Sequence, residues 1–276
     1  MDSNFGTPDG LHHPHWLIVT RFPSLFPDQT QAVIPLADRF FTDSPIVDSE
    51  IQLSDDQAHH VANVMRAGVG DALTLFDADG NEYQTEITSK SKKRVTVKKL
   101  SSSRPERKLQ RSITILVALP KGDRQKFLIE KLVELGVQRL IPLNTARSVA
   151  QVNEKVLGRL NKQIIEATKQ CRRSYLMDVL PAVSIAEAVA MAANATEASY
   201  FVAHPYTDQK LASVKQRLAE SKSIVWLVGP EGGFSDEEFT QLKAAGWSPV
   251  SFGKIIQRVE TAAISAAAIS GMGAEE

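Results

Sequence analysis

The chain holds a single cysteine, Cys171, among 276 residues. No internal disulfide can form, which suits a reducing compartment, so a cytoplasmic location is expected. Long apolar runs are missing too: none approaches the length of a membrane span, and no membrane partner is expected. The N-terminus lacks the basic-then-apolar order of a secretory signal. No charge of one sign predominates, because 32 basic and 32 acidic side chains cancel. Neutrality leaves a nucleic-acid partner open, since binding depends on local patches rather than on the total. Aromatic residues are sparse at 7%, yet 43% hydrophobic content is ample for a buried core and argues against global disorder.

Several catalytic signatures are also missing. There is no G-x-G-x-x-G for a dinucleotide and no G-x-x-x-x-G-K-[ST] for a P-loop. No G-x-S-x-G elbow supports an esterase, and neither H-E-x-x-H nor a spaced Cys pair supports a catalytic zinc. His12, His13 and His15 have no Cys or acidic companions at ligand spacing, so they read as a solvated tail and no metal is expected.

What is present divides the chain in three. Residues 1–37 mix Gly, Pro, Asp and His without apolar periodicity and read as a peripheral, partly disordered extension. Residues 38–104 read as a small β-rich domain. Leu73–Phe76 and Glu82–Ile87 flank the hairpin chemistry of Asp77-Ala-Asp-Gly80, Val95–Val97 continues the pattern, and Asp56–Arg66 reads as a short helix. Lys90 to Lys99 carries six cations and no acid. It suits either phosphate contact or an edge strand protected against aggregation. Ser101–Pro105 reads as a linker.

Residues 105–276 alternate strand and helix patterns, the signature of a mostly parallel sheet. Ile113–Leu119 is a continuous apolar run, as for a strand buried on both faces. Helices are expected at Asp123–Leu135, stopped by Gly136, and at Val152–Cys171, where Cys171 joins an apolar stripe as a small core residue. Capping boxes stand at Ser184–Glu187 and Ser235–Glu238. Arg258–Ile269 is an alanine-dense terminal helix suited to close packing, on the sheet or across a subunit interface.

The most specific stretch is Gly229-Pro-Glu-Gly-Gly233. It lies between the apolar run Ile224–Val228 and the helix opened by Ser235. Glycines before a helix start let backbone N–H groups approach a ligand. A tight strand–helix turn alone would use the same residues. A second loop-to-helix passage, Ser251 to Thr261, follows closely enough to form the other wall of one pocket.

From Arg39-Phe-Phe41 to the C-terminus the chain resembles the ribosomal RNA small subunit methyltransferase E family of knotted SPOUT methyltransferases. The resemblance is carried by His60, Val64, Arg66, Gly70-Asp71, Leu75-Phe-Asp77 and Gly80. It continues through Leu119-Pro-Lys-Gly-Asp123, Lys131, Glu134-Leu-Gly136, Ile141-Pro-Leu143, Arg147-Ser148, Glu166-Ala167 and Gln170-Cys171. Gly229 to Gly233 and Arg258-Val-Glu-Thr261 are the most specific blocks. The resemblance implies an α/β chain: an N-terminal PUA-like β-barrel, then a SPOUT domain with a trefoil knot, acting as a homodimer. It implies S-adenosylmethionine as methyl donor and N3 of a uridine in 16S small-subunit ribosomal RNA as acceptor. It places the cofactor along His204, Pro205, Gly229, Pro230, Glu231, Gly232, Phe252, Gly253, Ile255, Ile256, Gln257 and Thr261. Arg258 is expected to stabilise developing negative charge, with Glu231 or Glu260 accepting a hydrogen bond or orienting Arg258. Arg66, Lys92, Lys93, Arg94, Lys121, Arg124, Arg147, Arg172 and Arg173 are the candidate RNA contacts. The chain departs from the family at Ile255, where an arginine is usual, and at Lys169–Arg173, which is more basic. The alternatives are a non-catalytic ribosome-assembly factor on the same fold and an enzyme methylating another RNA position.

Overall fold

The computed structural model describes residues 39–272, except 44, 92–93, 106, 149–151 and 195–196. The histidine-rich stretch at 12–15, the extension and Lys92 and Lys93 therefore lie outside the described residues. No helix among the described residues is long and apolar enough to cross a membrane.

Two sheets organise the described chain. The first joins β1 (Arg39–Phe41), β2 (Glu50–Gln52), β3 (Ala72–Phe76), β4 (Glu82–Lys90) and β5 (Val95–Ser103) in the order β1-β3-β4-β5-β2. Its pairings are antiparallel except β1 with β3. Alternating Phe40, Leu73, Leu75, Tyr83, Ile87, Val95 and Val97 form its core. Ser101–Ser103 is not the expected linker. It extends β5 opposite Gln84, Tyr83 and Glu82, because paired backbone outweighs the turn preference of serine. The expected helix after Ser54 is a short α1 (Asp55–His59) that widens into a π-helical turn, His60–Met65, ending at Arg66 with φ +58°. The basic run is partly consumed: Lys90 Nζ donates to Ala67 O, and Lys99 Nζ donates to Ile46 O at 3.0 Å. Val97 also pairs with Ile51 of β2, so this part of β5 is not an exposed edge.

The second sheet contains β6 (Ser112–Val117), β7 (Arg139–Asn144), β8 (Asp178–Val179), β10 (Ala198–Ala203), β11 (Ser223–Val228) and β12 (Ser248–Val250). Their order is β12-β10-β11-β6-β7-β8, all parallel, and β9 (Val183–Ser184) pairs with the end of β7. Side chains alternate between two cores, as the two-residue repeat of a strand requires. On β11, Ile224, Trp226 and Val228 face one core while Val225 and Leu227 face the other.

The helices are α2 (Asp123–Glu134), α3 (Glu154–Gln170), α4 (Ile185–Asn194), α5 (Leu211–Glu220), α6 (Asp236–Ala244) and α7 (Val259–Gly271). Local sequence explains their ends. Ser235 and Glu238 form the capping box that opens α6, and Gly136 and Gly246 turn left-handed to stop α2 and α6. Small residues let α7 lie close on the sheet and on α2: Ala262, Ala263, Ala266 and Ala267 are buried, and Trp226 Nε1 donates to Ser270 Oγ at 2.8 Å. Cys171 caps α3 against the same core.

Glu82 ties the first sheet to the segments before β6 and after α3. Its Oε1 accepts from Arg39 Nη2 at 2.6 Å, Arg107 Nη1 at 2.7 Å and Ser174 Oγ at 2.6 Å.

Candidate active site

Three parallel strands end level with one another. Ala203 of β10 is in register with Val228 of β11 and Val250 of β12. In open parallel sheets the crevice beyond the carboxyl ends of strands is where ligands bind. Here those three residues contribute to a cavity of about 750 Å³. Its walls are the segments that leave each strand: His204–Tyr206, Gly229–Gly233 and Ser251–Val259.

The glycine loop is shaped by close approach. A Cβ on Gly229 would stand 2.5 Å from Phe234 Cζ, so only glycine lets the chain turn under that ring. Gly233 closes the turn with φ +69°, its N–H donating to Pro230 O at 2.8 Å. On the facing wall, Gly253 has φ +136° and its N–H donates to Ser251 Oγ at 3.3 Å. His204 stacks on Phe239 with ring centres 4.2 Å apart. Burial, and then the Lys243 charge, hold its imidazole below the usual histidine range. His204 Nδ1 and Gln257 Oε1 are buried without a hydrogen-bond partner, and both residues line the cavity. Buried polar atoms are ordinarily satisfied, so these two stand out among the residues around the cavity.

Every expected cofactor residue lines this cavity except Thr261, which is exposed on α7 and is not part of the lining. Sequence reasoning missed Tyr206, Phe234 and Phe239 as lining residues. Phe234 and Phe239 were legible as the apolar pair bracketing a capping box, but nothing local turned them toward a ligand. Ile255, 85% exposed, and Ile256, 64% exposed, stand at the rim.

The charged residues converge beside the cavity. Arg124, in the first turn of α2, donates to Glu231 Oε1 and lies 3.8 Å from Glu260 Oε2. Glu231 is exposed, and its carboxyl is held below the usual range by the Arg124 hydrogen bond and charge and by Arg258. Glu260 is buried at 6% exposure, and its Oε2 accepts no hydrogen bond. Arg258 is exposed at the N-cap of α7 and lines the cavity.

The RNA-contact expectation needs correction at Arg173, while Arg147 and Arg124 stay accessible with partners inside the protein. Arg173 is buried, its guanidinium donating to Val133 O at 3.2 Å, so it is a packing anchor unavailable to phosphate. Arg147 is exposed but donates to Gly232 O at 2.7 Å and lines the cavity, clasping the glycine loop. Arg124 is engaged by Glu231. Arg66, Arg94 and Lys121 are exposed, while Arg172 is half-buried, with φ +59° and its carbonyl accepting from Arg107.

A β-rich sheet followed by a parallel α/β layer with a glycine-loop cavity is the plan of an RNA methyltransferase. Residues 53–100 match the RNA methyltransferase PUA domain family, and residues 107–271 match the RNA methyltransferase domain family. Among curated relatives, ribosomal RNA small subunit methyltransferase E of Rickettsia conorii is 31% identical over 222 residues, covering 80% of this chain and 88% of the relative. The protein of the same name from Bacillus subtilis is 28% identical over 223 residues, covering 78% and 86%. A solved ribosomal RNA small subunit methyltransferase E from Neisseria gonorrhoeae bound to S-adenosyl methionine superposes with a TM-score of 0.76 at 30% identity, covering 84% of this chain and 95% of that one. The chain belongs to the ribosomal RNA small subunit methyltransferase E family.

Proposed function

We propose that this enzyme methylates N3 of a uridine in small-subunit ribosomal RNA, with S-adenosylmethionine as donor. The observation that carries the reading is the 750 Å³ cavity at three level strand ends, walled by His204–Tyr206, Gly229–Gly233 and the segment from Ser251 to Val259. These residues suit a cofactor that is part adenine, part ribose and part amino acid. Phe252, Ile256 and Phe239 offer apolar contact to a ring, while the loop backbones offer hydrogen bonds. The Neisseria relative binds that cofactor. When bound, it supplies an electrophilic methyl group on a sulfonium.

The protein's own work is to align N3 and manage its proton. Uracil N3 is protonated in the neutral base, so its lone pair is exposed only as the proton leaves and negative charge grows on the ring. Arg258 stands at the cavity rim, where its guanidinium stabilises that charge. The target base is taken out of its stack to reach it. The β-rich residues 38–104 serve as a PUA-like RNA-binding domain on residues 105–276. Exposed Arg66 and Arg94 supply phosphate contacts.

The enzyme works in the cytoplasm as a homodimer. Exposed Ile255 and Ile256 at the rim, where the family usually has one arginine, give the second copy an apolar seat. The C-terminal segment forms a trefoil knot. Support comes from its path, which leaves the sheet edge at β12, shares a cavity with Gly229–Gly233 and returns to pack α7 on β6 and β11. Such threading is rare among folds.

The test pairs calorimetry of S-adenosylmethionine binding with mass mapping of nucleosides in small-subunit ribosomal RNA, with and without the gene. Saturable cofactor binding and one N3-methyluridine that depends on the gene are expected. No binding supports a non-catalytic assembly factor, and a different gene-dependent nucleoside refutes the uridine assignment.

A further inference from the structure

The large cavity has a small neighbour. A recess of about 80 Å³ is framed by Pro120, Lys121, Arg124, Ser148 and the Pro230–Glu231 corner. That is several times the roughly 10–15 Å³ one water needs. The two spaces share Pro230, Glu231 and Val259. The two spaces are therefore neighbours, with Glu231 on the wall they share.

We propose that this recess takes the reactive edge of the target base and that Glu231, rather than Glu260, receives the N3 proton. The inference rests on the methyltransferase reading above and deepens it. The reactive edge of uracil presents a carbonyl, an N–H and a second carbonyl. Lys121 and Arg124 supply donors suited to the carbonyls, and Glu231 supplies the acceptor for the N–H. Cytosine has no proton on N3, so it would set a bare nitrogen against the carboxylate, a mismatch that polar sites reject strongly.

Geometry decides between the two carboxylates. Glu231 lines both spaces, whereas Glu260 lines neither. Glu260 is buried behind Arg124, its Oε2 3.8 Å from Arg124 Nη1 and without a hydrogen bond. It is a positioning residue, the second carboxylate that keeps Arg124 in place when the base draws that guanidinium away from Glu231. The pairing with Arg124 keeps Glu231 ionised. A carboxylate so stabilised is a weak base, so the proton leaves N3 as the new bond forms rather than before. The N3–H bond breaks with its proton passing to Glu231. Its electron pair becomes the N3–methyl bond as the methyl–sulfur bond opens and leaves a thioether.

The experiment has two arms, run on small ribosomal subunits lacking the modification after mass mapping has located the nucleotide methylated by the wild type. In the first, Glu231→Gln is expected to lower kcat about 10²–10⁴-fold, with the residual rate climbing with pH as hydroxide takes the proton. A loss below about tenfold, or a pH profile parallel to that of the wild type, overturns the assignment. The second arm uses the unaltered protein and reads no turnover. RNA carrying 4-thiouridine at the mapped position is photo-cross-linked without cofactor. Cross-links on residues 118–124 or 230–231 are expected, and cross-links confined elsewhere overturn the recess. If the wild type methylates no uridine N3, the parent reading fails instead.

Discussion

Removing the Glu82 carboxylate should loosen the whole protein while leaving the distant cavity chemically intact. Its Oε1 takes three donors within 2.7 Å, and its side chain is 8% exposed. Among the described residues Arg39, 4% exposed, has no other close acceptor: its Nη1 reaches Thr168 O and Arg173 O only at 3.5 Å, and its Nε is unpaired. Glu82→Ala therefore strands a buried guanidinium, which costs roughly 3–5 kcal/mol. Arg107 is 41% exposed and regains water, so its share is about 1 kcal/mol or less. For a domain of this size each kcal/mol moves the thermal midpoint about 2–4 °C, so a fall of roughly 6–20 °C is expected.

Differential scanning calorimetry reads that midpoint. The informative control is Arg39→Met combined with Glu82→Leu, which removes both charges and refills the space. Its midpoint should recover most of the loss, because a buried ion pair replaced by apolar groups is often neutral. Cofactor affinity at low temperature should match the wild type in all variants. A Glu82→Ala shift smaller than about 3 °C would refute the reasoning, since Arg39 would then have found water or another acceptor.

Arg258→Ala should lower kcat by about 10²–10³-fold with an unchanged thermal midpoint; near-normal methyl transfer would remove Arg258 from the reaction. Gly229→Ala should weaken cofactor binding and cost about 1–3 kcal/mol, because its Cβ meets the Phe234 ring at 2.5 Å. Gly232→Ala, whose Cβ meets only the flexible Arg147 side chain at 3.4 Å, should be tolerated, and equal calorimetric affinities for the two variants would contradict this. The lowered histidine pKa at position 204 has a definite sign. Above about pH 6.5 both folded and unfolded states hold it neutral. As pH falls from there the unfolded chain takes up a proton first, so stability declines until pH passes the folded value. His204→Gln should flatten that part of the midpoint-against-pH curve, and parallel curves would count against it.

The elements were legible where the signal is local. Ser235 and Glu238 stand three residues apart, and the hydrogen bonds of their capping box lie within one turn, so spacing alone announces the start of α6. Gly136 and Gly246 stop their helices through their own backbone freedom. The glycine-loop cavity was legible through resemblance and through two nearby loop-to-helix passages. What escaped depends on partners far along the chain. Arg124 and Glu231 are 107 residues apart, and the Arg173 carbonyl meets Arg39 across 134 residues. No periodicity encodes such meetings, so Arg124, Arg147 and Arg173 looked like interchangeable surface cations. Ser101–Ser103 looked like a linker for the same reason, since its partner strand and not its composition makes it extended.

The same distinction explains how a chain of zero net charge can serve an RNA enzyme. Arginines here are sorted by what accepts from them. Arg111 gives three hydrogen bonds to the carbonyls of Ser221, Ser270 and Ala219, at 2.8, 3.0 and 2.6 Å. Arg39 and Arg173 are likewise buried in donations to the protein itself. Their charge is satisfied inside the fold and adds little to the outward field. Glu82 shows the matching carboxylate: its bonded oxygen is shared by three donors, and the side chain is largely buried. Glu231 differs on both counts, holding one cation while exposed at the corner of two cavities. A carboxylate with accessible oxygen and a movable counter-ion can exchange a hydrogen bond during a reaction, whereas one enclosed by three donors cannot. The asymmetry between Glu82 and Glu231, more than the count of charges, separates a carboxylate that holds this fold together from the one proposed above to meet the substrate.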